Sequence, residues 1–167
     1  MPSPASIFAL PLILLVSSSL AMAPAAFELR LQKGILGGFI PPRPTAIYTV
    51  TRDNAASSIE VTVQTAENSM EPASKEFPVK DYEARINRIL GILKQLPTEN
   101  PPQSEDIFGL NIGISWMSDD FQWVNSAPQG CIPGISDKPA TDEEKVLFEE
   151  AVDIVTDIAD PKGTDEL

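Results

Sequence analysis

Alternating apolar and polar residues predict three strands in the first half of the chain. In residues 27–33, three apolar side chains alternate with polar ones, which is the period-two pattern of a strand with one buried face. Residues 46–52 and 58–65 alternate in the same way, and the polar turn at Asp53 joins them as an antiparallel hairpin. Residues 66–78 lack this alternation and contain a proline and mixed charges, so we predict a loop there.

The hydrophobic period lengthens to that of an α-helix in two later segments. Over residues 81–96, apolar side chains recur at three- and four-residue steps, with Asp81 placed to cap the start and Pro97 to end the helix. A second apolar stripe follows Thr141 and stops before Pro161. Its first residues form a Thr-x-x-Glu capping box, which satisfies amide donors at a helix start.

The strongest strand signal lies between the two helices, in residues 107–116. Five apolar side chains share one face there, and glycines on the other face predict twist, a bulge or the close approach of another backbone. Residues 117–120 are predicted to turn the chain, so that 121–124 return beside the strand and place Phe121 and Trp123 on one face.

Together these patterns predict an α+β fold in which an antiparallel sheet of four to five strands carries two helices packed on one face. The predicted core consists of Leu29, Leu31, Val61, Leu90, Leu93, Ile112, Ile114, Phe148, Val152 and Val155.

The start of the chain has the pattern of a secretory signal peptide. Its apolar core, residues 7–16, is shorter than a membrane span and is interrupted by Pro11. The Ala21-Met22-Ala23 segment fits a small-x-small cleavage site, which predicts cleavage after Ala23; cleavage after Ala25 or Ala26 is the alternative.

We therefore divide the chain into a signal peptide (1–23), a single α+β domain (24–160) and an acidic tail (161–167). The expected location is extracellular, with no membrane association after cleavage. The last four residues, Thr-Asp-Glu-Leu, are similar to a KDEL-type signal, so retention in the endoplasmic reticulum is the alternative.

The amino-acid composition limits the kinds of binding and catalysis that we expect of this protein. The formal net charge of -12 argues against nucleic-acid binding and favours solubility or a basic partner surface. Cys131 is the single cysteine, so an intramolecular disulfide is excluded, and the chain contains no histidine that would activate this thiol as a nucleophile. We expect a monomer without a bound metal or cofactor.

Paired carboxylates are the remaining candidates for catalysis. Glu105 and Asp106, like Asp119 and Asp120, are neighbours whose side chains would point to opposite faces of a strand. The acids after Thr141 are explained by helix capping. We therefore predict a protein that is not an enzyme; the alternative is a hydrolase that uses carboxylates or a luminal accessory protein.

The loop after the first strand is the candidate binding site. Glycines bracket exposed-looking apolar residues there, and a Pro-Pro-Arg-Pro run stiffens the chain that follows. Such a loop would lose little entropy on docking. The alternative is a rigid connection whose aromatic residue enters the core. The predicted binding residues, including two acids of a later turn, are Gly37, Gly38, Phe39, Ile40, Arg43, Asp119 and Asp120.

The order of these elements, with Gly37-Gly38-Phe39 after the first strand, resembles emfourin, a small protein inhibitor of protealysin and related thermolysin-like metalloproteases. The resemblance implies a compact α+β fold and a binding role, in which an exposed loop occludes the cleft of a secreted metalloprotease. This chain departs from that pattern in its signal peptide, in the inserts at 69–78 and 97–104, and in the prolines after Phe39.

Overall fold

The computed structural model describes residues 22–36, 43–54, 56–125 and 134–160. Within these residues the chain forms six strands and two α-helices. In chain order they are β1 (Phe27–Lys33), β2 (Ala46–Arg52), β3 (Ser58–Thr65), β4 (Ala73–Pro78), α1 (Val79–Leu93), β5 (Ile112–Ser118), β6 (Gln122–Val124) and α2 (Asp142–Ala159).

All six strands belong to one antiparallel sheet with the order β4-β3-β2-β1-β5-β6. The α+β class and the antiparallel sheet are therefore confirmed, and β1, β2 and β3 have the predicted bounds. The predicted strand number of four to five is wrong. The additional strand is β4, in a segment that we predicted as a loop. Its side chains are almost all exposed, so its sequence lacks the alternation of a strand with one buried face. Its place in the sheet comes from backbone pairing with β3.

The buried apolar side chains of β1, β2 and β5 share one face of the sheet. Leu29 on β1 lies opposite Val50 on β2 and Trp116 on β5, so all three occupy the same face. Both helices pack against that face. The Tyr82 ring of α1 lies 5.3 Å from the ring of Phe77 on β4, and the Phe148 ring of α2 lies 6.4 Å from Trp123 on β6. Cross-strand partners on the other face are mainly polar.

The predicted core is largely confirmed. Eight of the ten predicted residues are buried, whereas Leu90 and Ile112 are only partly buried at the border of the core. Phe108 was placed on the apolar face of a predicted strand but not in the predicted core; it lies outside the strands, and its ring stacks on Phe148 with 4.0 Å between centroids.

The predicted strand at 107–116 begins five residues later than expected, at Ile112. Residues 107–111 form turns, because Gly109 (φ +75°) and Asn111 (φ +56°) have left-handed backbone conformations that no strand accepts. The alternation of apolar residues before Ile112 therefore does not reflect strand geometry.

The predicted helix start is correct for α2 and differs from the structure for α1. Helix α1 begins at Val79, directly after Pro78 of β4, and has no side-chain cap; Asp81 lies in its first turn. It ends at Leu93, ahead of Pro97. The capping box at the start of α2 is confirmed, since Glu144 N–H donates to the Thr141 hydroxyl and the Glu144 carboxylate accepts from Thr141 N–H.

Neither of the helices in the described part of the chain has the length and apolarity that a bilayer crossing requires.

Candidate binding surface

Strand β1 places the predicted binding residues at two opposite ends of the sheet. Arg43 precedes β2 at the Lys33 end of β1, where Thr45 N–H donates to Lys33 O at 2.9 Å. Asp119 and Asp120 follow β5 at the other end, where Ser118 pairs with Phe27. Six residue steps of a strand span about 20 Å. The fold therefore does not bring Arg43 and the two acids together.

All three of these residues are exposed. The predicted binding residues Gly37, Gly38, Phe39 and Ile40 lie outside the described residues, as do Cys131, residues 1–21 of the predicted signal peptide, and the acidic tail. The geometry of the candidate loop is therefore given by its two described ends, residues 34–36 and 43–45, which we call the loop base.

Asn111 holds the first side of the loop base. Its side-chain Oδ1 accepts from Ile35 N–H at 2.9 Å and from Leu36 N–H at 2.7 Å. Its backbone oxygen accepts from Gly34 N–H at 2.9 Å. One residue thus binds three consecutive backbone donors, which fixes the direction in which the chain leaves β1.

Asp106 in turn positions Asn111. Its Oδ2 accepts from Asn111 N–H at 2.7 Å, and its Oδ1 accepts from Gly109 N–H at 3.0 Å and from Phe108 N–H at 3.3 Å. Asparagine tolerates the left-handed conformation found at Asn111. The carboxylate that we considered for catalysis is therefore occupied by the backbone of the turn that supports the loop.

A signal for this turn exists in the sequence. Residues 106–109 read Asp-Ile-Phe-Gly, and Asp at the first and Gly at the fourth position are typical of a type I turn. Our interpretation gave priority to the apolar alternation and so missed the contacts that Asn111 makes with the loop base.

The loop base packs closely against the sheet. A Cβ at Gly34 (φ +86°) would lie 3.1 Å from Arg43 O, so the two sides of the base approach each other at a position that favours glycine. The Ile35 side chain is buried, and a Cβ at Gly113 would lie 3.1 Å from its Cγ2. The close neighbour of Gly113 is thus a side chain, whereas the close approach of another backbone was among the alternatives predicted for the outer-face glycines. Leu36, in contrast, is 47% exposed.

The opposite end of the sheet forms an acidic cleft of about 390 Å³, whose lining includes Glu28, Asp53 and Asp119. These acids do not converge as metal ligands would, and no group of three or more potential ligands lies together within the described residues. Glu105, another acid considered above, accepts from Ser136 N–H at 2.9 Å and so ties two loops together.

No protein-family model matches this chain, and a search of curated proteins found no match.

Proposed function

We propose that this protein is a secreted, non-enzymatic protein-binding domain that engages a secreted metalloprotease through the loop between β1 and β2. The observation that supports this proposal best is the loop base. Three consecutive N–H groups of residues 34–36 bind Asn111, and Asp106 holds Asn111 in place.

A loop whose ends are fixed pays less conformational entropy when it docks, because fewer backbone angles have to be ordered. The base also presents two exposed side chains of suitable chemistry. Leu36 offers apolar surface, and Arg43 offers a cation of the kind enriched at protein interfaces. Both would contact a partner that covers this end of the sheet.

The first test is inhibition of a thermolysin-like protease by the purified secreted protein, with intact-mass analysis to show that the inhibitor is not cleaved. We expect dose-dependent inhibition. Replacing the exposed Arg43 by alanine should weaken inhibition at least about tenfold, the loss of roughly 1.4 kcal/mol or more expected for a central contact, with little change in melting temperature.

The matched control is Asp53→Asn, which also alters one exposed charge but follows β2 at the far end of the sheet. Inhibition by this variant should equal that of the parent protein. Absence of inhibition by the parent, or equal losses in Arg43→Ala and Asp53→Asn, would contradict the proposal.

A second test separates loop orientation from loop contact. Asn111→Gly permits the left-handed backbone but removes the Oδ1 acceptor, whereas Asn111→Asp retains a side-chain oxygen at that position. We expect the glycine variant to inhibit more weakly and the aspartate variant to inhibit nearly as well as the parent. Equal inhibition by all three proteins would show that Asn111 does not orient a binding loop.

The alternative of a carboxylate hydrolase has no particular support in the described geometry. Glu105 and Asp106 bind backbone N–H groups, and Asp119 and Asp120 are exposed. Retention in the endoplasmic reticulum would be tested by deleting residues 164–167, which should release a retained protein into the medium.

A further inference from the structure

The segment before β1 is packed as part of the folded domain. Ala23 is 5% exposed and belongs to the hydrophobic core, although the sequence pattern predicts it as the last residue of a signal peptide. A buried residue at this position indicates that the folded protein includes it.

Two charged side chains hold this segment by its backbone, and we call them the terminal clamp. Glu83 on α1 accepts from Ala23 N–H at 3.0 Å. Arg52 at the end of β2 donates from Nη1 to Ala23 O at 3.2 Å and to Pro24 O at 2.8 Å. The Arg52 Nε also donates to Ala56 O at 2.9 Å, which fixes the guanidinium in position. Hydrogen bonds to charged groups are the stronger class in proteins.

Cleavage at any of the three sites predicted above would remove part of this arrangement. A cut after Ala23 takes away the residue that Glu83 binds, and it must break an Ala-Pro bond, whose nitrogen carries no hydrogen. A cut after Ala25 or Ala26 takes away both carbonyl groups that Arg52 Nη1 binds.

We propose that the signal peptide is cut between Ala21 and Met22 and that the terminal clamp is the receptor for the new amino terminus. Ser19-Leu20-Ala21 also satisfies the small-x-small rule. A signal peptidase would add water to the Ala21–Met22 amide, which leaves a carboxylate on Ala21 and an ammonium group on Met22. This proposal rests on the secretion proposed above and does not depend on the identity of the binding partner.

The surroundings of Met22 carry both signs of charge. Met22 lines a cleft of about 610 Å³ together with the carboxylates of Glu76 and Glu83 and the cations of Arg52 and Lys80, so the carboxylates offset the two cations where the new ammonium group would be formed. Met22 itself is 79% exposed, and the cleft is open to solvent on that side.

The first experiment expresses the full chain in a secretory host and measures the intact mass of the secreted protein. We expect the mass of a chain that starts at Met22. Ala21→Leu should block or displace this cut, because leucine is too large for the last position of the signal, whereas Ala25→Leu should not change it. A start at Pro24, Ala26 or Phe27, or a chain that is not cut, would overturn the proposal.

The second experiment tests the clamp in the secreted protein through the rate at which an aminopeptidase releases Met22. Glu83→Gln weakens the hold on Ala23, and we expect release to become several-fold faster. Asp81→Asn is the matched control, since it neutralises an exposed carboxylate in the same helix, and its rate should equal that of the parent. Equal rates in Glu83→Gln and the parent would show that Glu83 does not hold the terminus.

Discussion

Single residues with several hydrogen bonds set the geometry of both ends of the sheet. Asn111 binds three backbone donors of the loop base. Arg52 binds three backbone carbonyl groups, two in the segment before β1 and one in the turn between β2 and β3. Neither residue belongs to an apolar pattern. Each replaces water on the backbone groups at a strand end by a fixed protein partner, so hydrogen bonds order these segments in addition to the burial of Ile35 and Ala23.

The Arg88–Glu150 ion pair depends on pH. Arg88 on α1 donates from Nε at 2.7 Å and from Nη2 at 2.6 Å to the two carboxylate oxygens of Glu150 on α2. The hydrogen bond from Arg88, with a smaller contribution from its charge, lowers the pKa of Glu150 below its ordinary value of 4.5. The same carboxylate raises the pKa of Arg88.

A lowered pKa in the folded state means that the ion pair contributes stability above pH 4.5, and that this contribution is lost as the pH falls through the folded-state pKa. Both side chains are about half exposed, at 49% and 40%, so solvent screening keeps the contribution small. We expect Glu150→Gln to melt slightly below the parent at pH 7, and this deficit to shrink as the pH is lowered below 4.5. Melting curves of Glu67→Gln, an exposed glutamate in the loop before β4, should match the parent at each pH; a constant deficit of Glu150→Gln would contradict the assignment.

At the scale of elements, the starts of the two helices are stabilised differently. Helix α2 has a complete capping box, whereas α1 follows Pro78 directly and receives no side-chain cap. The stability of the first turn of α1 comes instead from packing, since Val79 and Tyr82 are buried.

Removing the cap of α2 should therefore have a measurable cost. We expect Thr141→Ala to lower the free energy of unfolding by about 1 kcal/mol, because Glu144 N–H loses its acceptor. Thr141→Ser keeps the hydroxyl and should be nearly neutral. Urea denaturation of the three proteins gives this comparison, and an alanine variant as stable as the serine variant would show that the box contributes nothing.

Strand β4 and the turn at 107–111 show how much of an element can be predicted locally. The alternation in β1, β2 and β3 arises because one face is buried, so their bounds follow from the sequence. β4 has no buried face along most of its length and joins the sheet through backbone hydrogen bonds with β3. Apolar residues at 108 and 110 imitate a strand, although the Asp106 carboxylate organises a turn there.

At the scale of the whole molecule, the acid excess concentrates on the exposed side of α2. Glu149, Asp153 and Asp157 follow one another at four-residue steps, and all three are exposed. Like charges at this spacing repel one another on a helix surface, and a net charge of -12 adds to that repulsion.

Salt should therefore stabilise the protein. We expect the melting temperature to rise between about 10 and 150 mM NaCl, over which the Debye length falls from about 30 to 8 Å. Asp153→Asn removes two repulsive pairs and should raise the free energy of unfolding by about 0.4–1 kcal/mol at low salt. Asp119→Asn changes the net charge equally but lies outside the helix, so a gain of the same size there would assign the effect to net charge alone.

The sequence by itself determined the α+β class, the first three strands, most of the core and the capped start of α2. These features depend on which side chains of a short segment are apolar or can reach their own backbone, and such information is local. Only the tertiary structure decided that β4 is a strand, that Arg43 lies far from Asp119, and which groups Asn111 and Arg52 contact. In those cases the partners are backbone groups distant in sequence, and a backbone group has the same chemistry at nearly every residue.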